Sequence, residues 1–212
     1  SLYEKLQKRN VIKKVLLSWT FMQLVLVVAI FLVPAFYLLF TPMAWLFPVL
    51  FAAFVVVLLK YQFHIFPVSR QIEKIYDQFF FEQKTLGDLP DTPVLVLGST
   101  NLQTARSFSF SKKWMQDSTY QFMNPKITFK AKDFPIARAV MASSCVPFAF
   151  TPIKIEKIFF ANEADADKVH PVLVDGGVYD NQGIHKVMQR GQYACDIVIA
   201  SDAGCGASGE LK

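Results

Sequence analysis

The sequence predicts an α/β layer fold with a largely parallel sheet, preceded by a transmembrane helical hairpin. Three observations carry that prediction. From Val15 to Leu59 the chain has no charged residue, and one membrane-crossing helix needs roughly 20 apolar residues, so the run is long enough for two. Beyond Pro93, short apolar runs alternate with stretches of helical spacing, which implies a sheet with helices packed on it. The apolar fraction, 53% with 15% aromatic, exceeds that of ordinary soluble domains. That excess is local, and the rest of the chain can bury one modest core. The 212 residues therefore divide into a basic lead-in, 1–14, a hairpin, 15–60, and an α/β part, 61–212.

Leu2, Leu6 and Val11 among lysines and arginines make residues 1–14 either a short amphipathic helix at headgroup level or a plain lead-in. Residues 15–40 form the first span. Thr41-Pro42 is the natural turn, since Pro ends a helix and Thr can satisfy freed backbone groups. Residues 43–59 form the second span, with Trp19 and Trp45 near span ends. The competing reading is a helical hairpin buried in a soluble core. Residues 61–88 look helical from Ile72, Ile75, Tyr76 and Phe79, closed by Gly87 and Pro90. Pro93–Gly98 reads as a buried strand and Lys126–Ala131 as a half-buried one with period two. Phe134–Cys145 reads as a helix, and Pro171–Asp175 and Asp196–Ser201 as two further strands.

The net charge of +5 is concentrated beside the apolar run. Lys5, Lys8, Arg9, Lys13 and Lys14 precede it; Lys60, Arg70 and Lys74 follow it. Basic flanks favour the cytoplasmic face, so both ends of the hairpin are expected on that side. The charge does not alternate with stacking aromatics, which argues against nucleic acid as a partner. Cys145, Cys195 and Cys205 lack zinc-ligand spacing and read as buried apolar thiols in a reducing compartment. His64, His170 and His185 are dispersed, so no metal and no cofactor is expected. The chain opens on Ser1-Leu2-Tyr3 and reads as a fragment, a processed chain or part of a longer protein.

The sharpest chemical signal is Val174-Asp175-Gly176-Gly177, running on through Val178-Tyr179-Asp180-Asn181. An apolar strand delivers a carboxylate into a double glycine, and in α/β folds catalytic groups gather at the carboxyl ends of strands. Glycines let the backbone turn sharply and let another segment approach. Asp175 can then serve as a base for a hydroxyl nucleophile, or merely cap a following helix. Gly176, Gly177 and Asn181 are the turn-support or oxyanion candidates, with Asn181 bracing the Asp175 turn through its amide. Ser143 and Ser144 end a helix and either satisfy its terminal carbonyls or line the site. Asp202 ends the last expected strand and either fixes a loop or lines the site. Arg138 either meets a lipid phosphate or forms a salt bridge. A self-contained triad of Ser144, His185 and Asp175 is the weakest alternative.

Three segments in order resemble the patatin-like phospholipase family. DGGVYDN, Asp175–Asn181, is similar to the family's Asp-Gly-Gly motif. PIARAVMASSCVPFAFTPIKI, Pro135–Ile155, resembles the helix ending in Ala-Ser-Ser and the Pro-rich turns that precede it. VLVLGSTNLQTARSFSF, Val94–Phe110, resembles the family's earlier strand and its Thr-Asn-Leu-x-Thr-Gly turn. The resemblance spans about Pro93 to Gly206. It implies the C-terminal portion of a three-layer α/β/α fold and a Ser–Asp dyad without His, with Asp175 as the base. An activated Ser on a Gly-x-Ser-x-Gly elbow would face preorganised N–H donors. The sequence departs from the family at Ala105, where Gly is frequent, and at Gln182-Gly183, where Pro often follows the Asn. It has no Gly-x-Ser-x-Gly; Gly206-Ala207-Ser208-Gly209-Glu210 lacks the closing glycine and follows the Asp motif.

The resemblance implies a lipid acyl hydrolase, and the uncharged run with its basic flanks makes it a membrane-anchored one, an integral membrane protein with its catalytic part on the cytoplasmic side. Its substrates would be phospholipids or glycerolipids. The nucleophile would come from an upstream segment or a second polypeptide. The alternative is a catalytically inactive, membrane-anchored scaffold of the same fold, binding lipid or partner proteins. A channel is disfavoured, because the spans carry no polar path beyond Gln23 and a few hydroxyls.

Overall fold

A computed structural model describes residues 11–181 together with Gly183, Ile197 and Ile199. Most of the lead-in, Gln182, His185, Cys195, Asp202, Cys205 and nearly all of the expected strand Asp196–Ser201 lie outside the described residues.

The chain enters through α1, Val11–Leu16, which packs against α4, Val68–Tyr76. Lys14 Nζ donates to Gln78 Oε1 at 2.9 Å and lies 4.4 Å above the Phe79 ring. The first long helix begins at Trp19, not at residue 15. Ser18 is its N-cap and its Oγ accepts from the Phe21 amide, so the chain breaks there and restarts. This helix, α2, is Trp19–Leu38, and α3 is Phe47–Ile65. They lie antiparallel, pairing Phe36 with Phe47, Phe31 with Phe54 and Phe21 with Phe66 at ring separations of 5.8–6.0 Å. Between them, Thr41 Oγ1 donates to the Leu38 carbonyl and accepts from the Met43 amide. The helix caps its own turn with that hydroxyl. α3 runs past the end of the uncharged segment before breaking at Phe66-Pro67.

Both helices are long and apolar enough to cross a membrane. They are not a buried core hairpin: Ala35 is the one buried residue of α2, and none is buried in α3. Ile30, Val33, Val49, Val56 and Leu59 are among the large apolar side chains left bare. Such continuous apolar exposure marks a surface that something other than water covers.

The remaining chain is built on a five-stranded sheet in the order β3-β2-β1-β5-β4. The strands are β1 Leu97–Asn101, β2 Arg106–Phe110, β3 Met115–Asp117, β4 Ile153–Lys154 and β5 Val172–Asp175. The expectation of a largely parallel sheet is overturned, because every pairing is antiparallel. The connections explain why. Four residues join β1 to β2 and four join β2 to β3, whereas a parallel crossover needs about a dozen or more. The first strand is also displaced toward Asn101 from the expected Pro93–Gly98. Lys126–Ala131 joins no ladder. It keeps the expected burial at Ile127 and Ala131, but pairs only by an isolated bridge between Phe129 and Phe160.

The short helix α5, Ser118–Gln121, follows β3, and α6, Ile136–Ser143, packs on β1 and β5. Its buried side is Ile136, Ala137, Ala139, Met141 and Ala142; the small residues let the helix approach the sheet. Beneath it an aromatic core joins Phe108, Phe110, Phe129, Phe134, Phe159 and Phe160 through ring contacts of 4.8–5.5 Å. Each fully buried Phe contributes on the order of 1.5–3 kcal/mol.

Candidate active site around Asp175

Asp175 ends β5, opposite Ser99 of β1, and α7, Gly177–Asp180, follows at once. The position is held by backbone. The Asp175 amide donates to the Cys145 carbonyl at 2.8 Å, and the Gly176 amide to the Ser143 carbonyl at 3.2 Å. Carbonyls at and just past the end of α6, which the helix itself leaves unsatisfied, thereby receive their donors from the Asp-Gly turn. On the other side, Thr100 Oγ1 donates to the Asp175 carbonyl at 2.9 Å, and Ser99 Oγ to that of Val174 at 2.7 Å.

The packing requires glycine at 176, and at 177 a side chain would displace the neighbouring side chains. A Cβ on Gly176 would lie 2.6 Å from the Gly98 carbonyl oxygen, a backbone atom that cannot swing away. A Cβ on Gly177 would meet the Asn181 Oδ1 at 2.8 Å and the Asp175 Oδ1 at 3.0 Å. Asn181 therefore stands over the turn beside the carboxylate. The Gly177 amide donates to Asp175 Oδ1 at 2.6 Å. Both glycine amides are engaged in this structure, that of Gly176 by the Ser143 carbonyl at the end of α6 and that of Gly177 by Asp175 itself. Asp175 Oδ2 has no hydrogen-bond partner among the described residues, and the residue is only partly buried.

Ser144 is exposed, and its Oγ donates back to the Val140 carbonyl at 2.9 Å. This is the helix-terminal use of the hydroxyl. Ser143, partly buried, contributes the carbonyl that holds Gly176. Asp202 and His185 lie outside the described residues, and with them the Asp202 alternatives and the Ser144–His185–Asp175 triad. Arg138 is clamped by two carboxylates, Nε to Glu73 Oε1 at 3.0 Å and a terminal nitrogen to Glu156 Oε1 at 3.1 Å. It ties α6 to α4 and to the segment just after β4. Cys145 is buried; burial pushes its thiol above the ordinary range, and the nearby Asp175 charge adds to the rise. It is a protonated packing group, with Sγ donating to the Thr151 carbonyl at 3.1 Å.

Sequence reasoning missed what supports the site. Ser99, Thr100 and Asn101 are buried polar residues in one strand, and that run of hydroxyls and amide in an apolar context is the signal that marks them. Asp117 is fully buried, accepting from Asn101 Nδ2, Thr104 Oγ1 and the Thr119 amide. It pins the β1–β2 loop from a distance in sequence that no local pattern discloses.

The three segments set beside a known family are thus neighbours in space: Gly98–Thr100, the end of α6 and the Asp175 turn meet at one end of the sheet. They define an α/β protein that presents a carboxylate from a strand end. The family model for patatin-like phospholipases matches residues 33–188. The chain belongs to the patatin-like phospholipase family, whose members are lipid acyl hydrolases. The match starts well before Pro93, taking in part of α2 and all of α3. No curated protein and no solved structure matches the chain.

Proposed function

We propose that this chain supplies the base of a Ser–Asp dyad in a membrane-anchored lipid acyl hydrolase. The nucleophilic Ser, on a Gly-x-Ser-x-Gly elbow, comes from an upstream segment or a separate chain. The observation that carries this reading is the Asp175 carboxylate, fixed through Oδ1 by the Gly177 amide and open at Oδ2. In that arrangement a seryl hydroxyl donates to Oδ2. The proton passes to the carboxylate as Oγ attacks the ester carbonyl carbon, and then to the leaving alcohol as the acyl–oxygen bond breaks. Water, deprotonated by the same carboxylate, releases the fatty acid from the acyl-enzyme. The bare apolar faces of α2 and α3 support anchoring. The basic residues on both flanks of the hairpin support a cytoplasmic site. The substrate class is phospholipid or glycerolipid.

One observation favours the second reading, an inactive scaffold. The Gly177 contact makes the Asp175 side chain a brace of its own turn, two residues on, a role that needs no chemistry. Labelling the whole assembly with a fluorophosphonate probe, beside Asp175→Asn, separates the two. Asn keeps an acceptor for the Gly177 amide, so the turn survives while the base is lost. Labelling that falls by about 10²–10⁴-fold in the variant is the expected result. None in folded, lipid-containing wild type would leave the scaffold, and equal labelling in both would show a nucleophile that does not use Asp175 as its base.

A further inference from the structure

We propose that the apolar turn 146–150 is a wedge that enters the headgroup–acyl boundary of the bilayer beside the base of the hairpin and holds the Asp175 turn at the lipid surface. The inference rests on the membrane reading of the hairpin given above. From Cys145 to Phe150 every residue is apolar. The Phe150 amide donates to the Val146 carbonyl at 3.1 Å and closes the turn. Inside it Phe148 has φ 68°, the left-handed region that bulky side chains rarely occupy. Phe148 is 94% exposed, and Val146 is 47% exposed. A turn of this shape facing water is suited to Gly or Asn. A strained, bare phenylalanine fits a turn whose ring is solvated by something apolar.

The position of the turn identifies that partner as lipid. Phe148 and Ala149 line a cleft of about 170 Å³ together with Leu24, Leu58, Phe63 and Phe66. Leu24 lies near the start of α2. Leu58 lies near the end of the uncharged run, two residues before Lys60. The ring therefore stands at the depth where the hairpin's apolar surface gives way to charge, the level at which amphipathic segments sit in a bilayer. The turn is clamped at both ends. At one, the Cys145 carbonyl receives the Asp175 amide. At the other, the Thr151 carbonyl accepts from Ser69 Oγ at 2.6 Å, and Ser69 is on α4, just past the hairpin. Insertion of Phe148 is thereby coupled to the height of Asp175 above the membrane.

The test uses the full chain in phosphatidylcholine bilayers, with Trp19, Trp45 and Trp114 replaced by Phe and a single reporter introduced as Phe148→Trp. Val146→Trp is the second reporter should the first not fold, as judged by circular dichroism. Ile30→Trp, at mid-helix in α2, is the membrane control. Lipids brominated on the acyl chains should quench both the turn reporter and Ile30→Trp, and aqueous acrylamide should quench neither. A turn reporter quenched by acrylamide and not by bromolipid overturns the wedge. One protected from both is covered by protein, which overturns it equally. If Ile30→Trp itself escapes bromolipid, the membrane reading fails and the wedge with it.

Discussion

Ala105 stands at φ 53°, in the four-residue loop that joins β1 to β2. The left-handed region there favours glycine, and here a methyl group carries the strain. The residue is exposed, so little packing opposes its removal. Ala105→Gly should raise stability by about 0.5–1 kcal/mol, the relief of strain partly offset by the freer unfolded chain. Thermal unfolding in detergent micelles measures it, and an unchanged midpoint would mean that the loop relaxes around the alanine. Gly176 is the converse case. Its φ is ordinary, and it must be glycine because the Gly98 carbonyl leaves no room for a Cβ. Backbone angle thus favours glycine in one turn, and crowding demands it in the other.

At the scale of elements, the β1–β2 loop is held by a buried polar network. Asn101 Nδ2 donates to Asp117 Oδ2 and to Tyr120 Oη, and Tyr120 Oη donates to Gln103 Oε1. Burial pushes the Tyr120 phenol up to about 12, opposed by the Asn101 hydrogen bond and reinforced by the Asp117 charge. Because the folded value lies above the unfolded one of about 10, the neutral phenol favours the folded state. Its contribution is fully present below about pH 10 and is lost as pH rises toward 12. A phenolate absorbance titration of wild type against Tyr120→Phe should show one extra ionisation near pH 12. An extra ionisation near pH 10 would show that the phenol is solvated and the network open. Cooperative networks of this kind fix one loop conformation, because any broken member leaves a buried polar atom unpaired.

At the scale of the whole molecule, two helices with bare apolar faces join a sheet domain through α4, whose Ser69 and Glu73 contact the loop after α6 and Arg138. If the hairpin crosses a bilayer, native membranes washed at alkaline pH will retain the chain, and detergent will release it. Release by the wash alone would assign those faces to a protein partner instead. The anchoring also bears on chemistry. The Asp175 turn, the turn 146–150 and the start of α4 form one connected unit, so under the proposed function Asp175 is tied to the hairpin by the Asp175–Cys145 backbone hydrogen bond and the Ser69 hydroxyl and not by a flexible linker.

The sequence by itself determined the apolar hairpin and its turn at Thr41-Pro42, the helix that became α6, the strand that ends at Asp175 and the glycines behind it. All of these are encoded locally, in charge, in periodicity of 3.6 or 2, and in glycine and proline. Only the tertiary structure decided the direction of the strands: Arg106–Phe110 alternates with period two and Met115–Asp117 is only three residues long, and neither pattern says which way a strand runs beside its neighbour. Their four-residue links forced antiparallel pairing. It also decided that Lys126–Ala131 packs without a ladder, that Asp117 pins a loop across the sheet and that Gly176 abuts Gly98. These are contacts between residues distant in the chain. They arise where close packing brings backbones and buried polar atoms together, and no local pattern records them.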